Sequence, residues 1–338
     1  MQIGQEDLRM LKAKGHASMK TNNRWNDLYD VEHPPVVSFA DGELKTVYDS
    51  ASFGVSSNYS TLKRVLLYPP TEDLDIVKED PVWWLWDGPP DLEQSRKEWN
   101  AFIDILRKNG VQVEILKEGY PKSPKHYWMR DQATMTPWGA IISRMALTQR
   151  WGEEQMVAKG LWALQIPVLL MVTGDGTFEG GNYVPLDRHT VVIGRGIWTN
   201  ESGIRQVENL LKLMDIEPIV VDIPGYLEQR GGFVHVDVCM NPIEKDLVLV
   251  YPESLPYWFL NELRDRGFDM IEVEREETLR LGTNVLPLEA KKVILTSGNP
   301  NVKNRLEDAG VKVIEIGMDE LMRIGGGPRC LAMELLRV

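Results

Sequence analysis

Five stretches of this chain repeat one pattern: "ILRKNGVQVEIL", "GLWALQIPVLLM", "LLKLMDIEPIVV", "ELRDRGFDMIEV" and "RLEDAGVKVIEI". Each closes a helix-compatible run, breaks at Gly110, Gln165, Asp215, Gly267 or Gly310, and continues into a β-rich run. Glycine followed by such a run is the expected stop of a helix. The breaks recur at intervals of roughly 45 to 55 residues, the spacing of repeat architectures. Further strands, "RVLLYPP", "GAIISRM", "TVVIGRG", "DLVLVYP" and "KVILTSG", lie between them. An open α/β sheet would also alternate helix and strand. Even spacing of five copies favours five strand-and-helix modules closed around a pseudo-symmetric axis. In that arrangement the loops after the inner strands converge on one central pocket. The expected class is therefore α/β, with residues 61–338 as a single domain. Residues 1–60, polar and irregular with a short amphipathic stretch at the start, form an extension packed on it.

Polar residues interrupt the apolar strands at four places where strands end and loops begin. "YWMRDQATMTPWG" carries Arg130 and Asp131, and "GDGTFEGGNYVPL" carries Glu179 before Gly180, Gly181 and Asn182. "GGFVHVDVCMNP" carries His235 and Asp237, and "GGGPRCLAMELLR" carries Cys330. His235 and Asp237, two apart, share one face of a presumed strand. Burying them is costly unless they are satisfied, so the pair reads equally as a structural hydrogen bond or as part of a site. Taken singly, Glu179 reads as a turn carboxylate, Asp131 as a local ion-pair partner of Arg130, and Cys330 as inert core. Cys239 reads as core. His126 and His189 have no evident partners. The close His/carboxylate pair lacks a recognisable third ligand, so no metal is expected.

Charge and cysteine usage narrow the function classes. The 338 residues carry a formal net charge of −12. That disfavours nucleic acid or anionic membrane as a partner and suits a cationic small molecule. No run approaches the roughly 18 apolar residues of a membrane span, and the N-terminus lacks the apolar core of a signal peptide. Two cysteines are too few for a disulfide framework. A cytoplasmic protein with free thiols is expected, and association with copies of itself stays open.

Together "RDQ", "FEGGN", "HVD" and "GGGPRC", in this order over roughly residues 60–338, resemble the guanidino-group-modifying enzymes. These are arginine deiminase, dimethylarginine dimethylaminohydrolase, agmatine deiminase and the amidinotransferases. The resemblance implies a fivefold α/β propeller, the pentein fold, working without a cofactor. It implies that Asp131 and Asp237 grip the planar guanidinium bidentately. Cys330 then attacks its carbon as the thiolate, and His235 protonates the departing amine and later deprotonates the incoming nucleophile. Glu179 orients His235 or binds a guanidinium nitrogen. Water as the second nucleophile makes a hydrolase of arginine or a substituted arginine; an amine makes an amidinotransferase. Hydrolysis is the preferred reading, and a silent propeller that only binds a cation is disfavoured by the presence of all these groups.

Where the tail of an amino-acid substrate binds, the motifs depart from the family. Arg150, in "ALTQRWGEE", lies where a relative holds the substrate's α-carboxylate, or it is a surface arginine paired with Glu153 or Glu154. Trp198 stands where the hydrolases often carry an arginine before "TN", leaving Arg195, Arg205 or Arg329 as substitutes. "EGGN" replaces the family's "EGGD" through Asn182, which removes a negative charge. Glu334, after the cysteine, is not diagnostic. In "DPVWWLWDGPPD", Trp83, Trp84 and Trp86 either pack or line the pocket mouth, with Asp87 a candidate substrate contact.

Overall fold

The computed structural model describes residues 37–86, 88, 90–119, 123–224, 235–324 and 326–338. Residues 1–36, with the amphipathic start, and Asp87 lie outside the described residues. The chain divides into two compact units, residues 1–50 and residues 51–338. In the first, Glu43–Thr46 forms a short helical turn. Residues 51–60 belong to the larger unit, where Gly54 N donates to Leu335 O at 2.8 Å.

Among the described residues, five three-stranded sheets make up the larger unit, a fivefold α/β propeller. Four take their strands consecutively: β3 (Ala133–Thr136), β4 (Gly139–Ile142) and β5 (Val168–Met171); β6 (Tyr183–Pro185), β7 (Thr190–Arg195) and β8 (Glu217–Asp222). The next are β9 (Met240–Glu244), β10 (Leu247–Val250) and β11 (Asp269–Glu272), then β12 (Leu286–Glu289), β13 (Lys292–Thr296) and β14 (Lys312–Ile316). In each, the first two strands pair antiparallel and the last two parallel. A parallel pair needs a crossover, supplied by α2 (Glu153–Ala163), α3 (Glu201–Lys212), α4 (Tyr257–Asp265) and α5 (Pro300–Asp308). The remaining sheet joins β1 (Leu62–Leu67) and, after α1 (Leu92–Lys108), β2 (Gln112–Ile115) to β15 (Met333–Arg337) from the other end of the chain. β15 runs antiparallel to β1, so the same sheet is completed by chain closure.

The five breaks share one local geometry. Gly110, Gln165, Asp215, Gly267 and Gly310 all have positive φ, between 56° and 87°. The residue after each donates its N–H to the carbonyl five positions back: Val111 to Leu106, Ile166 to Leu161, Ile216 to Leu211, Phe268 to Leu263, Val311 to Leu306. Both members of every pair are buried. This is the Schellman arrangement, in which a left-handed residue satisfies orphan helix carbonyls and an apolar contact seals the end. Gln165 and Asp215 occupy a conformation that glycine adopts at least cost. Asp91 and Asn200 cap the opposite ends of α1 and α3, accepting from Gln94 N and Gly203 N. Among the described residues no helix is long and apolar enough to cross a membrane.

Candidate active site

All four polar motifs sit in short turns at the end of the connection from one sheet to the next, each just before the strand that pairs antiparallel in its sheet. Asp131 lies in the turn Met129–Gln132 before β3, Glu179 opens Gly180–Asn182 before β6, and Cys330 lies in Pro328–Leu331 before β15. His235 and Asp237 flank and enter the 3-10 turn Val236–Val238 before β9. Their common side therefore comes from a tight turn and not from the two-residue period of a strand. Asp131, Glu179, His235, Asp237 and Cys330 are each at most 4% exposed. Cys239, at the end of that turn, packs in a hydrophobic cluster as expected of core.

On one side of the site, Glu179 Oε2 lies 3.0 Å from His235 Nε2, and Asp131 Oδ1 lies 3.5 Å from His235 Nδ1. Gly181 permits this approach: a Cβ there would meet His235 Nδ1 at 2.6 Å. Burial acts to depress the His235 pKa, but the Asp131 and Glu179 carboxylates outweigh it and raise it to about 9. The ring is thus an imidazolium near neutrality. Glu179 Oε1 accepts from Ala146 N at 3.0 Å. The Trp198 ring meets the imidazole edge-on, with centroids 5.2 Å apart.

Arg150 is buried here and is not a surface arginine. Its Nη1 donates to Asp131 Oδ2 at 2.7 Å, while Nε and Nη2 grip Glu153 at 3.0 and 2.8 Å. Glu153 also accepts from the Ser123 hydroxyl. Arg150, expected to receive a substrate carboxylate, instead directs its donors at Asp131 and Glu153 and anchors Asp131. The alternative pairing with Glu153 was the more accurate, although the pair is buried. Arg195 is exposed and paired with Asp222 and Glu201, and Arg205 is exposed.

The other side is richer in arginine. Asp237 Oδ2 lies 3.3 Å from Arg329 Nε and 3.7 Å from Arg130 Nε. Glu334 accepts from Arg337 at 2.7 Å and from Arg329 at 3.4 Å. Burial works against the Glu334 carboxylate, yet Arg337, Arg329 and Arg130 hold its pKa at about 2. Asp131 Oδ1 and Asp237 Oδ1 are buried without a hydrogen-bond partner. Each carboxylate thus has one oxygen fixed by an arginine and one that accepts no hydrogen bond, the Asp131 one lying 3.5 Å from His235 Nδ1. The Cys330 thiol is pushed well above its ordinary value by burial and by Asp237 and Asp131.

The close His235/Asp237 pair showed no third metal ligand in the sequence; the structure sets two other carboxylates, Asp131 and Glu179, beside His235. Ligand atoms of Asp131, Glu179 and His235 come within 4.8 Å of one another, a spacing compatible with a metal ion. The Arg150 guanidinium already lies 2.7 Å from Asp131 and 3.9 Å from Glu179. A fixed cation therefore competes with a metal for these oxygens.

Sequence reading missed Asn284, whose Oδ1 lies 3.5 Å from Cys330 Sγ. The parallel between "LGTNVLPL" and "EGGNYVPL", in corresponding turns, is the signal that points to it. It also missed Lys125, buried near this site, whose pKa falls to about 7 through burial and then the charge of Arg150. Of the tryptophans, Trp84 and Trp86 are buried and Trp83 is exposed. His126 is buried with neither ring nitrogen hydrogen-bonded, and His189 lies at the surface.

A family model described as N,N-dimethylarginine dimethylhydrolase, eukaryotic, matches residues 91–337. The uncharacterized protein YkgA of Bacillus subtilis strain 168 is 28% identical over 285 residues, 83% of this chain and 94% of its own. An arginine deiminase of Mycoplasma capricolum is 26% identical over 397 residues, covering 84% of this chain and 96% of the relative. Among solved structures, the dimethylarginine dimethylaminohydrolase of Pseudomonas aeruginosa, a cysteine-to-serine variant complexed with citrulline, superposes with a TM-score of 0.67 at 23% identity. That match covers 81% of this chain and 100% of the other. The N-terminal domain of ArgZ, covalently bound to a reaction intermediate, gives 0.70 at 20% identity over 81% and 98% of the two chains. The chain belongs to the N,N-dimethylarginine dimethylhydrolase family, a family of guanidino-group hydrolases.

Proposed function

We propose that this protein hydrolyses a C–N bond in the guanidino group of arginine or a substituted arginine through a covalent intermediate on Cys330. The observation that carries this reading is a pair of buried carboxylate oxygens that accept no hydrogen bond, Asp131 Oδ1, which faces His235 Nδ1 at 3.5 Å, and Asp237 Oδ1. Leaving a buried charged acceptor without a donor is costly. A guanidinium presents several coplanar N–H groups that can serve two carboxylates at once. Arg150 and Arg329 hold the outer oxygens, so the inner ones are fixed before the substrate arrives.

The entering cation offsets the two carboxylates that hold Cys330 protonated, and its arrival favours loss of the thiol proton to solvent water, since His235 is already protonated. Sγ then adds to the guanidinium carbon. His235, charged at neutral pH, gives a proton to the departing nitrogen as its C–N bond breaks, leaving an amidino group on sulfur. The neutral imidazole takes a proton from water, the oxygen adds to the same carbon, and the C–S bond breaks. The products are a ureido compound and an amine, with the thiolate restored. Glu179 Oε2, 3.0 Å from Nε2, holds the ring through both halves. The N-terminal domain of ArgZ, solved covalently bound to a reaction intermediate, supports this route by its shared fold.

The test is a mass-spectrometric product screen with arginine, methylated arginines, agmatine and guanidinoacetate, each with and without glycine, ornithine or lysine. A ureido product formed without an acceptor is expected. A new guanidino compound formed only with an acceptor would replace hydrolysis by amidino transfer, and no product from any guanidine would remove the reading.

A further inference from the structure

We propose that Asn284 is the positioning residue of the Cys330 thiol, the contribution of the fifth module to a site otherwise assembled from four. The proposal rests on the reading of Cys330 as nucleophile. Asn284 is fully buried in the segment that leads into β12, the position that in the other modules carries Asp131, Glu179, His235 with Asp237, and Cys330. Its Nδ2 donates to the main-chain carbonyl of Asp237 at 3.2 Å, and its Oδ1 accepts from Cys330 Sγ at 3.5 Å. An amide has its donors on one side and its acceptor on the other. The bond to the Asp237 carbonyl therefore fixes which end faces the sulfur.

A second observation points to the same contact. A Cβ on Gly327 would lie 2.6 Å from Asn284 Oδ1 and 3.3 Å from its Cβ and Cγ. Gly327 has φ of −97°, so its backbone does not demand glycine; the approach of the amide does. The glycine before the cysteine leaves room for the asparagine that holds it. Asn182 makes the equivalent link, its Oδ1 accepting from Val236 N at 2.9 Å in the next module. The charged groups acting on Sγ are the Asp237 and Asp131 carboxylates. Asn284 is an uncharged acceptor, so it holds the protonated thiol without adding charge.

The experiment measures iodoacetamide alkylation of Cys330 in the substrate-free full chain, read on the Cys330 peptide, with kcat and KM on the guanidino substrate. Asn284→Asp sets a carboxylate against the sulfur and slows alkylation at pH 8.5 about tenfold or more, one pH unit of added thiol stabilisation. Asn284→Leu lowers kcat about tenfold or more and leaves KM within about threefold, because the lost contact is with the nucleophile and not the substrate. Gly327→Ala reproduces the Asn284→Leu loss and adds less than about threefold on top of it, since both remove one contact. Alkylation of a folded Asn284→Asp protein at the wild-type rate overturns the proposal, as does full additivity of Gly327→Ala and Asn284→Leu. If the Asn284 variants do not fold, Gly327→Ala decides alone: wild-type kcat overturns the proposal, and a tenfold loss at unchanged KM supports it. Retained turnover in Cys330→Ser removes the nucleophile reading but leaves the alkylation result legible, so the two fail separately.

Discussion

The two halves of the site use the same device in opposite electrostatic settings. On the Asp131 side, three buried carboxylates, Asp131, Glu153 and Glu179, surround one arginine and one histidine. On the Asp237 side, three buried arginines, Arg130, Arg329 and Arg337, surround two carboxylates. The first set has an acidic excess answered by a titratable ring; the second has a basic excess that cannot titrate at ordinary pH. The contrast assigns proton handling to one half and rigid holding to the other. On each aspartate one oxygen accepts no hydrogen bond, Asp131 Oδ1 facing His235 Nδ1 at 3.5 Å.

The widest separation between the halves is expected in kinetics. His235→Ala removes the proton carrier and lowers kcat by about 10²- to 10⁴-fold, measured on whichever guanidine the product screen identifies. Stability separates them next. Asp237→Asn leaves Arg130 and Arg329 buried with Glu334 as their remaining carboxylate, at a cost of about 3–5 kcal/mol. Asp131→Asn leaves Arg150 bidentate on Glu153 and costs less, about 1–2 kcal/mol. Equal urea midpoints for the two variants would erase the distinction.

The pH dependence gives the halves opposite signs. The His235 pKa is raised to about 9 from 6.5, so its stabilisation is complete below pH 6.5 and is lost as pH rises through 9. The Glu334 pKa is lowered to about 2 from 4.5, so its stabilisation is complete above pH 4.5 and is lost as pH falls through 2. Urea unfolding is expected to weaken as pH falls below 4.5. Between pH 6.5 and 9 the His235 loss opposes the gain from Lys125, whose pKa is depressed to about 7, so the His235 part is read as the difference between wild type and His235→Asn. The smallest effect sharpens the role of Arg150. As an anchor for Asp131, its replacement by alanine lowers kcat/KM for arginine and for agmatine by similar factors, within about threefold. A loss confined to arginine would return it to binding a carboxylate.

The repeat was legible because its physics is local. Each helix end needs a left-handed residue and an apolar pair five apart, and Leu106–Val111 or Leu306–Val311 displays both in the chain. The site residues were legible as motifs, but their setting was not. Period two suggested a strand for His235 and Asp237, whereas the segment is a turn whose residues are fixed by neighbouring modules, such as Val236 N by Asn182. Arg150 is separated by 19 positions from Asp131, and nothing local distinguishes its buried pairing from a surface one. Asn284 escaped because its meaning depends on Gly327 and Cys330, more than 40 positions away.

The central claim is that Asp131 and Asp237 present a guanidinium carbon to Cys330 for covalent attack. Its most direct test is intact-protein and peptide mass spectrometry of the wild type and His235→Ala after brief exposure to the best guanidine of the screen. The account predicts an amidino adduct on the Cys330 peptide of the wild type, slower to form in His235→Ala because the departing nitrogen lacks its proton donor, and no turnover in Cys330→Ser. Turnover in Cys330→Ser, with no adduct on Cys330 at any time, would contradict it.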